Sequence, residues 1–248
     1  MKAMIFAAGL GTRLKPITDT LPKALVPIAG KTLLEHTILK LKSSGFTDIV
    51  INVHHFAGQI IDFLKANNNF GVNISISDES EMLLETGGGI RKAAPLLGSE
   101  PFLIHNVDIV SNIDLRHLYN EHIKTGADAT LLVSKRKSSR ALLFDNDGNL
   151  KAWRNNSTGE VKTPFESLDI NSLQPYAFSG IHIFSPSLFP YMENYPAKFP
   201  IIDFYLDTCN KAKIKASVSE DLRLIDVGKL DSLEEAERLA KMYCMETM

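Results

Sequence analysis

Short apolar runs alternate with amphipathic stretches along the first half of the chain. The apolar runs predict strands over residues 3–7, 49–53, 74–77, 102–104 and 129–134. Apolar positions at helical spacing predict helices over residues 33–41, 59–64, 89–97 and 115–124. Strands that alternate with helices imply right-handed crossovers and a mostly parallel sheet covered on both faces. The pattern therefore predicts an α/β fold.

The rhythm changes after Lys135. Residues 141–144 and 150–153 flank the turn Asp145–Gly148 and predict a hairpin, whereas residues 155–174 are polar and predict a long surface loop. A further strand over 178–184 and helices over 200–209 and 230–242 follow. No linker divides the chain, so we expect a single domain over 1–248, in which residues 136–248 decorate a core formed by 1–135.

Composition excludes several classes of protein. The 248 residues are 44% hydrophobic and 23% charged, which is too apolar for a disordered chain, and the net charge of −2 does not favour a nucleic-acid partner. Cys209 and Cys244 lack metal-binding spacing and predict buried thiols in a reducing compartment. The apolar start is too short for a secretion signal, and no stretch predicts a membrane span. We expect a soluble, cytoplasmic protein.

The loop after the first predicted strand carries the strongest chemical signal. It contains Ala8, Gly9, Gly11, Thr12 and Arg13. Glycines let the backbone approach a ligand closely, and successive N–H groups can bind an anion. The arginine can make forked contacts to phosphate oxygens, and Lys23, further on, adds a compact positive charge. These features predict a triphosphate-binding loop.

Two familiar phosphate motifs do not fit. A dinucleotide fingerprint requires glycine where the chain has Leu14. Gly30-Lys31-Thr32 is similar to the end of a P-loop, but the earlier glycine of that motif would fall at Leu25.

The full string G-x-G-T-R-x-x-P-x-T, followed by Pro22-Lys23, resembles the signature of the sugar-phosphate nucleotidylyltransferases. This resemblance implies a three-layer Rossmann-like fold of the nucleotide-diphospho-sugar transferase type. It also implies that residues 1–135 form the nucleotide-binding core and that residues 136–248 bind the sugar and complete a metal site. In such a protein the loop wraps the triphosphate, Arg13 and Lys23 stabilise charge during transfer, and the backbone at Ala8 and Gly9 contacts the base.

Two aspartates are candidate ligands for Mg²⁺. Asp108 ends the fourth predicted strand, and Asp226 follows another short apolar run. Mg²⁺ prefers one or two carboxylates together with substrate phosphate oxygens. Taken singly, each aspartate is typical of a turn or a helix cap. Together they resemble the N-G-D and D-V-G segments of the family, although Val107 replaces the glycine of the first segment.

The resemblance also suggests residues that recognise the base and the sugar. The segment 85–90 carries three glycines, and its Thr86 and Gly87 are candidates for contact with the base, while a tight helix entry is the alternative explanation for the glycines. Glu81 and Glu79 are further candidates for base contact. The candidates for sugar contact are Asn106, Gly180 and Glu166. The E-K-P segment common in the wider family is not evident in residues 155–174.

The predicted reaction is attack by a sugar 1-phosphate on a nucleoside triphosphate, with release of pyrophosphate. Within the family, residues 1–5 and 84–90 resemble members that use UTP and N-acetylmuramate 1-phosphate. Guanylyltransferases that use mannose or heptose 1-phosphate share nearly all of these motifs, and phosphocholine cytidylyltransferases share the scaffold. A catalytically silent nucleotide-binding module is a further alternative. We expect a monomer or homodimer.

Overall fold

A computed structural model describes the backbone of residues 1–246 and the side chains of residues 1–242. The strands are β1 (Lys2–Phe6), β2 (Pro27–Ile28), β3 (Lys31–Thr32), β4 (Asp48–Val53), β5 (Asn73–Asp78), β6 (Phe102–Asn106), β7 (Ile109–Ser111), β8 (Ala129–Ser134), β9 (Arg140–Phe144), β10 (Leu150–Asn155), β11 (Val161–Lys162), β12 (Gln174–Phe184), β13 (Ile214–Val218) and β14 (Leu224–Asp226). The helices are α1 (Leu33–Ser43), α2 (Ala57–Ala66), α3 (Glu85–Leu97), α4 (Leu115–Thr125), α5 (Ile201–Thr208) and α6 (Leu233–Glu246).

Ten of these strands form one sheet, in the order β11-β10-β9-β12-β6-β1-β4-β5, with β8 beside β12 and β13 beside β8. The segment β6-β1-β4-β5 is parallel throughout, as the alternation of strands and helices predicts. β12 runs antiparallel to both β6 and β8, so β6 and β8 point in the same direction. Strands from both predicted parts of the chain thus share one sheet.

The sheet lies between two hydrophobic layers. Along β1, Ala3 and Ile5 pack into one cluster and Met4 packs into the other, which explains why this strand is apolar on both faces. Residues of α1, α2, α4 and α6 lie in the first cluster, and residues of α3 and α5 lie in the second. Helices on both faces of a central sheet make the three predicted layers.

The predicted elements of the first half are confirmed, with ends that differ by a few residues. One difference matters for the site, because α3 begins at Glu85 and its glycines lie inside the helix, in its first and second turns, rather than before it. The polar segment 155–174, predicted as a loop, contains the short strand β11, which extends the hairpin of β9 and β10. Its backbone hydrogen bonds come from tertiary pairing, for which the polar sequence gives no signal.

Three pairings of short strands were not predicted. β13 lies parallel to β8, β14 pairs with β7, and β2 pairs with β3. Cys209 is buried as a free thiol, as predicted, whereas the side chain of Cys244 lies outside the described residues. Among the helices the structure describes, none has the length and apolar character needed to cross a bilayer.

Candidate active site

A cleft of about 550 Å³ opens at the carboxyl ends of β1, β4 and β6. Parallel sheets bind ligands at this edge, because the loops that follow the strands converge there. The cleft brings together many of the candidates that the sequence provides. Those that line it are Ala8, Gly9, Gly11, Thr12, Arg13, Lys23, Glu79, Thr86, Asn106 and Asp108.

The loop after β1 turns sharply at Gly11, which has a φ of +65°. A Cβ atom at this position would lie 2.9 Å from Cγ2 of Thr18 and 3.0 Å from Cβ of Lys23. The Thr18 hydroxyl donates a hydrogen bond of 2.8 Å to the Gly11 carbonyl and stabilises the turn. Gly9, in contrast, has open space around it, so its backbone is accessible from the cleft.

A buried pair of polar side chains anchors the start of this loop. Oδ1 of Asn52 accepts a hydrogen bond of 2.8 Å from the backbone N–H of Ala7, and Nδ2 of Asn52 donates one of 2.7 Å to Oε1 of Glu79. The other carboxylate oxygen of Glu79 accepts from the N–H of Leu84 at 3.1 Å. Both side chains are buried and both line the cleft. The ends of β1, β4 and β5 are thereby joined by one hydrogen-bonded chain.

Asn52 is a residue that the sequence analysis missed. It directly follows the apolar residues 49–51 of β4 and lies next to the strand's carboxyl end. A polar side chain at such a place is the signal that could have identified it, because a buried amide requires partners for both its donor and its acceptor.

The charged candidate residues lie close to one another. The Lys23 ammonium forms an ion pair with the Asp108 carboxylate, and both side chains are largely shielded from solvent. The pairing of β14 with β7 brings Asp226 beside this pair, and the Val227 N–H donates to the Asp108 carbonyl at 2.8 Å. The two predicted metal-binding aspartates are far apart in the sequence, but Asp226 ends β14 and Asp108 directly precedes its partner strand β7.

Gly228 makes room for two of these charges. A Cβ atom there would lie 2.7 Å both from Nη2 of Arg13 and from Oδ1 of Asp226. Burial and the neighbouring charge of Asp108 raise the pKa of the Asp226 carboxyl, while the charges of Lys23, Arg13 and Arg136 act in the opposite direction. The two carboxylates thus lie close enough to repel each other electrostatically.

The donor set is suited to Mg²⁺. The described residues contain no group of three or more His, Cys, Asp or Glu side chains that could enclose a metal ion. Two carboxylates are what Mg²⁺ requires from a protein when phosphate oxygens and water supply its remaining ligands. A divalent cation at Asp108 and Asp226 would also relieve their mutual repulsion.

The glycine-rich turn of α3 is explained chiefly by packing. A Cβ atom at Gly87 would lie 2.3 Å from the ring of Phe199, and the Gly87 N–H donates to the Phe199 carbonyl at 2.9 Å. The Thr86 hydroxyl accepts a hydrogen bond of 2.9 Å from the N–H of Ile201, at the start of α5. Thr86 also lines the cleft, whereas Gly87 faces Phe199 and is not among the lining residues.

The remaining candidates are divided between the cleft and its surroundings. Gly180, with a φ of +76°, lies against the Asn106 amide, so these two predicted sugar contacts are neighbours. Glu81 is exposed and lines a smaller pocket with Gly88 and Arg91. Glu166 is exposed in the segment after β11. The binding roles of Gly87, Glu81 and Glu166 stay predictions that the geometry of the cleft does not support directly.

Comparison with known proteins agrees with this picture. A family model described as nucleotidyl transferase matches residues 2–241. The N-acetylmuramate alpha-1-phosphate uridylyltransferase of Neisseria meningitidis serogroup B is 37% identical over 204 residues, which are 78% of this chain and 79% of that protein. The protein of the same name from Caulobacter vibrioides is 34% identical over 194 residues, or 75% and 76% of the two chains.

A solved structure shows the same architecture. HddC from Yersinia pseudotuberculosis, complexed with GMP-PN, superposes with a TM-score of 0.72 at 25% sequence identity, covering 96% of this chain and 98% of that one. This likeness confirms the predicted α/β fold class.

Proposed function

The chain belongs to the nucleotidyl transferase family, and on that premise we propose that it transfers a nucleoside monophosphate from a nucleoside triphosphate to a sugar 1-phosphate. One observation carries the proposal: Arg13, Lys23 and Asp108 line a single cleft beside the glycine-containing loop, and Asp226 lies at its edge, close to Arg13 and Asp108. A silent binding module would have no need to hold all four charges together. The same reasoning assigns catalytic roles to Arg13, Lys23 and Asp108.

In this reaction an oxygen of the acceptor phosphate attacks the α-phosphorus of the nucleotide, and the bond from that phosphorus to the bridging β-phosphate oxygen breaks. Pyrophosphate leaves with the electron pair. A phosphate monoester is already a competent nucleophile, so no residue of the chain needs to form a covalent intermediate. Catalysis then consists of alignment and compensation of charge.

Each residue of the cleft has a task in that scheme. The backbone N–H groups of the loop after β1 would bind phosphate oxygens, and Arg13 would hold the departing pyrophosphate. Lys23 would lie near the transferred phosphorus, where its positive charge offsets the developing negative charge. Asp108 and Asp226 would hold Mg²⁺, which, when bound, neutralises phosphate charge. The base would lie against Ala8 and Gly9 of the loop after β1 and against Thr86 of α3.

UTP and N-acetylmuramate 1-phosphate are the substrates we favour. The support is the similarity to two N-acetylmuramate alpha-1-phosphate uridylyltransferases, which extends over three quarters of each chain. A guanylyltransferase is the second candidate, because HddC, which was crystallised with GMP-PN, is similar over nearly the whole chain. Since nucleoside triphosphates are intracellular substrates, we place the activity in the cytoplasm.

Release of pyrophosphate from a panel of four nucleoside triphosphates and several sugar 1-phosphates tests the proposal. We expect the highest kcat/KM for UTP with N-acetylmuramate 1-phosphate. Asp108→Asn and Asp226→Asn should each lower kcat about a hundredfold, which corresponds to roughly 3 kcal/mol of lost transition-state stabilisation. The exposed Asp231→Asn is the matched control and should keep the activity of the original chain. Activity of Asp108→Asn and Asp226→Asn near that of the control, at saturating Mg²⁺, would contradict the assignment of the aspartates.

A further inference from the structure

A run of three cations stands at the same edge of the sheet as the cleft. Lys135, Arg136 and Lys137 directly follow β8, and all three are exposed. Because β6 and β8 both pair antiparallel with β12, their carboxyl ends lie at one edge. Asp108 follows the end of β6, so the topology places the cationic run and the carboxylates of the cleft along a common rim.

The side chain of Arg136 is held toward the acceptor side of that rim. Its Nη2 donates a hydrogen bond of 2.8 Å to the carbonyl of Phe178 in β12. Two residues further along β12, Gly180 lies against the amide of Asn106, which lines the cleft. The charge of Arg136 also acts on Asp226, in the same direction as those of Lys23 and Arg13. Arg136 is therefore within electrostatic reach of the catalytic charges.

Arg136 retains unused binding capacity. Among the described residues it forms no salt bridge, and its single hydrogen bond occupies one of five N–H donors. Arg91 provides the contrast, because its guanidinium donates to the carbonyls of Met192, Tyr195 and Pro196 and is committed to packing. A guanidinium that is anchored by one contact and forms no ion pair within the described part of the chain is suited to forked recognition of an oxyanion.

We propose that Arg136 forms a subsite for an anionic group of the acceptor, through its guanidinium at the rim between Phe178 and Asp226. This inference rests on the proposed function, since it concerns the second substrate of that reaction. N-acetylmuramate 1-phosphate carries two such groups, the phosphate that reacts and a carboxylate on the sugar. Both are oxyanions, and the experiment separates them.

The test compares two acceptors that share the phosphate and the N-acetyl group, N-acetylmuramate 1-phosphate and N-acetylglucosamine 1-phosphate, of which only the first has the carboxylate. Arg136→Gln should raise the KM of the acceptor about tenfold or more, the effect of losing one charge-assisted contact, while KM for UTP changes less than about twofold. Arg136→Lys, which keeps the charge, should restore part of the affinity. Arg238→Gln, the same change at an exposed position on α6, is the matched control and should leave both constants unaltered.

The pattern of losses identifies the group that is bound. A rise for N-acetylmuramate 1-phosphate alone assigns Arg136 to the carboxylate, and an equal rise for both acceptors assigns it to the phosphate. Unchanged KM for both acceptors, or a loss that Arg136→Lys shares in full while the melting temperature falls, would overturn the subsite.

Calorimetric titration of each sugar 1-phosphate into the original chain and into Arg136→Gln distinguishes failure of the subsite from failure of the proposed function. Binding that depends on Arg136 without release of pyrophosphate would support the subsite and contradict the reaction. Absence of any sugar-phosphate binding by the original chain would contradict both.

Discussion

Asn52 and Glu79 allow a direct test of how the nucleotide loop is held in place. In the structure, a carboxylate that can only accept hydrogen bonds fixes the orientation of the Asn52 amide, and that orientation turns Oδ1 toward the N–H of Ala7. Exchanging the two functional groups, in the double variant Asn52→Asp/Glu79→Gln, reverses the middle hydrogen bond and preserves all three. The new glutamine amide would then donate to the new aspartate carboxylate and accept from the N–H of Leu84.

The single variants cannot preserve the chain of hydrogen bonds. In Glu79→Gln, one of the two accepting oxygens is replaced by an NH₂ group, which must face either the Asn52 NH₂ or the Leu84 N–H. One buried donor therefore loses its acceptor, at a cost of about 1–3 kcal/mol. Asn52→Asp places a second carboxylate where Nδ2 lies 2.7 Å from Glu79 Oε1, which costs more, because two buried like charges repel strongly. The free energy of unfolding of the double variant should lie within about 1 kcal/mol of that of the original chain. The coupling free energy between the two positions should therefore exceed about 2 kcal/mol.

Urea unfolding of the original chain, the two single variants and the double variant, all without ligands, measures this coupling. The KM for the nucleoside triphosphate measures the effect of the same changes on the loop. Each single variant should raise that KM about tenfold, because displacement of the loop would misalign the N–H groups that we propose to bind phosphate. The double variant should restore it. The matched control is the pair Asn73 and Asp48, joined across the same two strands by a solvent-exposed hydrogen bond of 3.1 Å. Exchanging those side chains should change stability by less than about 0.5 kcal/mol.

Additive losses of stability in the double variant would refute the role assigned to the pair. Restored stability with a KM that stays high would show that Asn52 or Glu79 touches the nucleotide itself rather than only positioning the loop.

Two further predictions concern stability. Gly11→Ala should lower the free energy of unfolding by about 2 kcal/mol or more, because alanine tolerates the positive φ poorly and its Cβ would crowd Thr18. Gly9→Ala is the control and should have little effect, because Gly9 has open space around it, and equal melting temperatures of the two variants would contradict the prediction. Burial lowers the pKa of His182 to about 3 from 6.5, so its contribution to stability is complete above pH 6.5 and falls as the pH decreases toward 3. Between pH 6.5 and 4.5 this loss amounts to about 2–3 kcal/mol, and denaturant titrations should show that His182→Leu removes it. If the free energy of unfolding depends on pH in the same way in the original chain and in His182→Leu, the prediction is wrong.

Much of the fold and part of the site could be predicted without coordinates. Alternation of apolar runs and amphipathic stretches indicates an α/β sheet, because the periods of strands and helices are local properties of the chain. The loop from Ala8 to Arg13 was identifiable for a similar reason, since its glycines and its arginine are contiguous and follow a buried strand. The carboxyl end of that strand then predicts the edge of the sheet at which a ligand would bind.

Contacts between distant segments were decided by the tertiary structure alone. Pairing of β14 with β7 brings Asp226 to Asp108, and β12 carries Gly180 to Asn106. Nothing local encodes such pairings, because each short strand gains its hydrogen bonds only from a partner elsewhere in the chain. The anchoring role of Asn52 and the rim position of Arg136 belong to the same category. The sequence by itself therefore determined which chemical groups the chain possesses and on which elements they lie. Long-range packing determined which of these groups meet, because the distance between two side chains depends on the conformation of the whole chain between them.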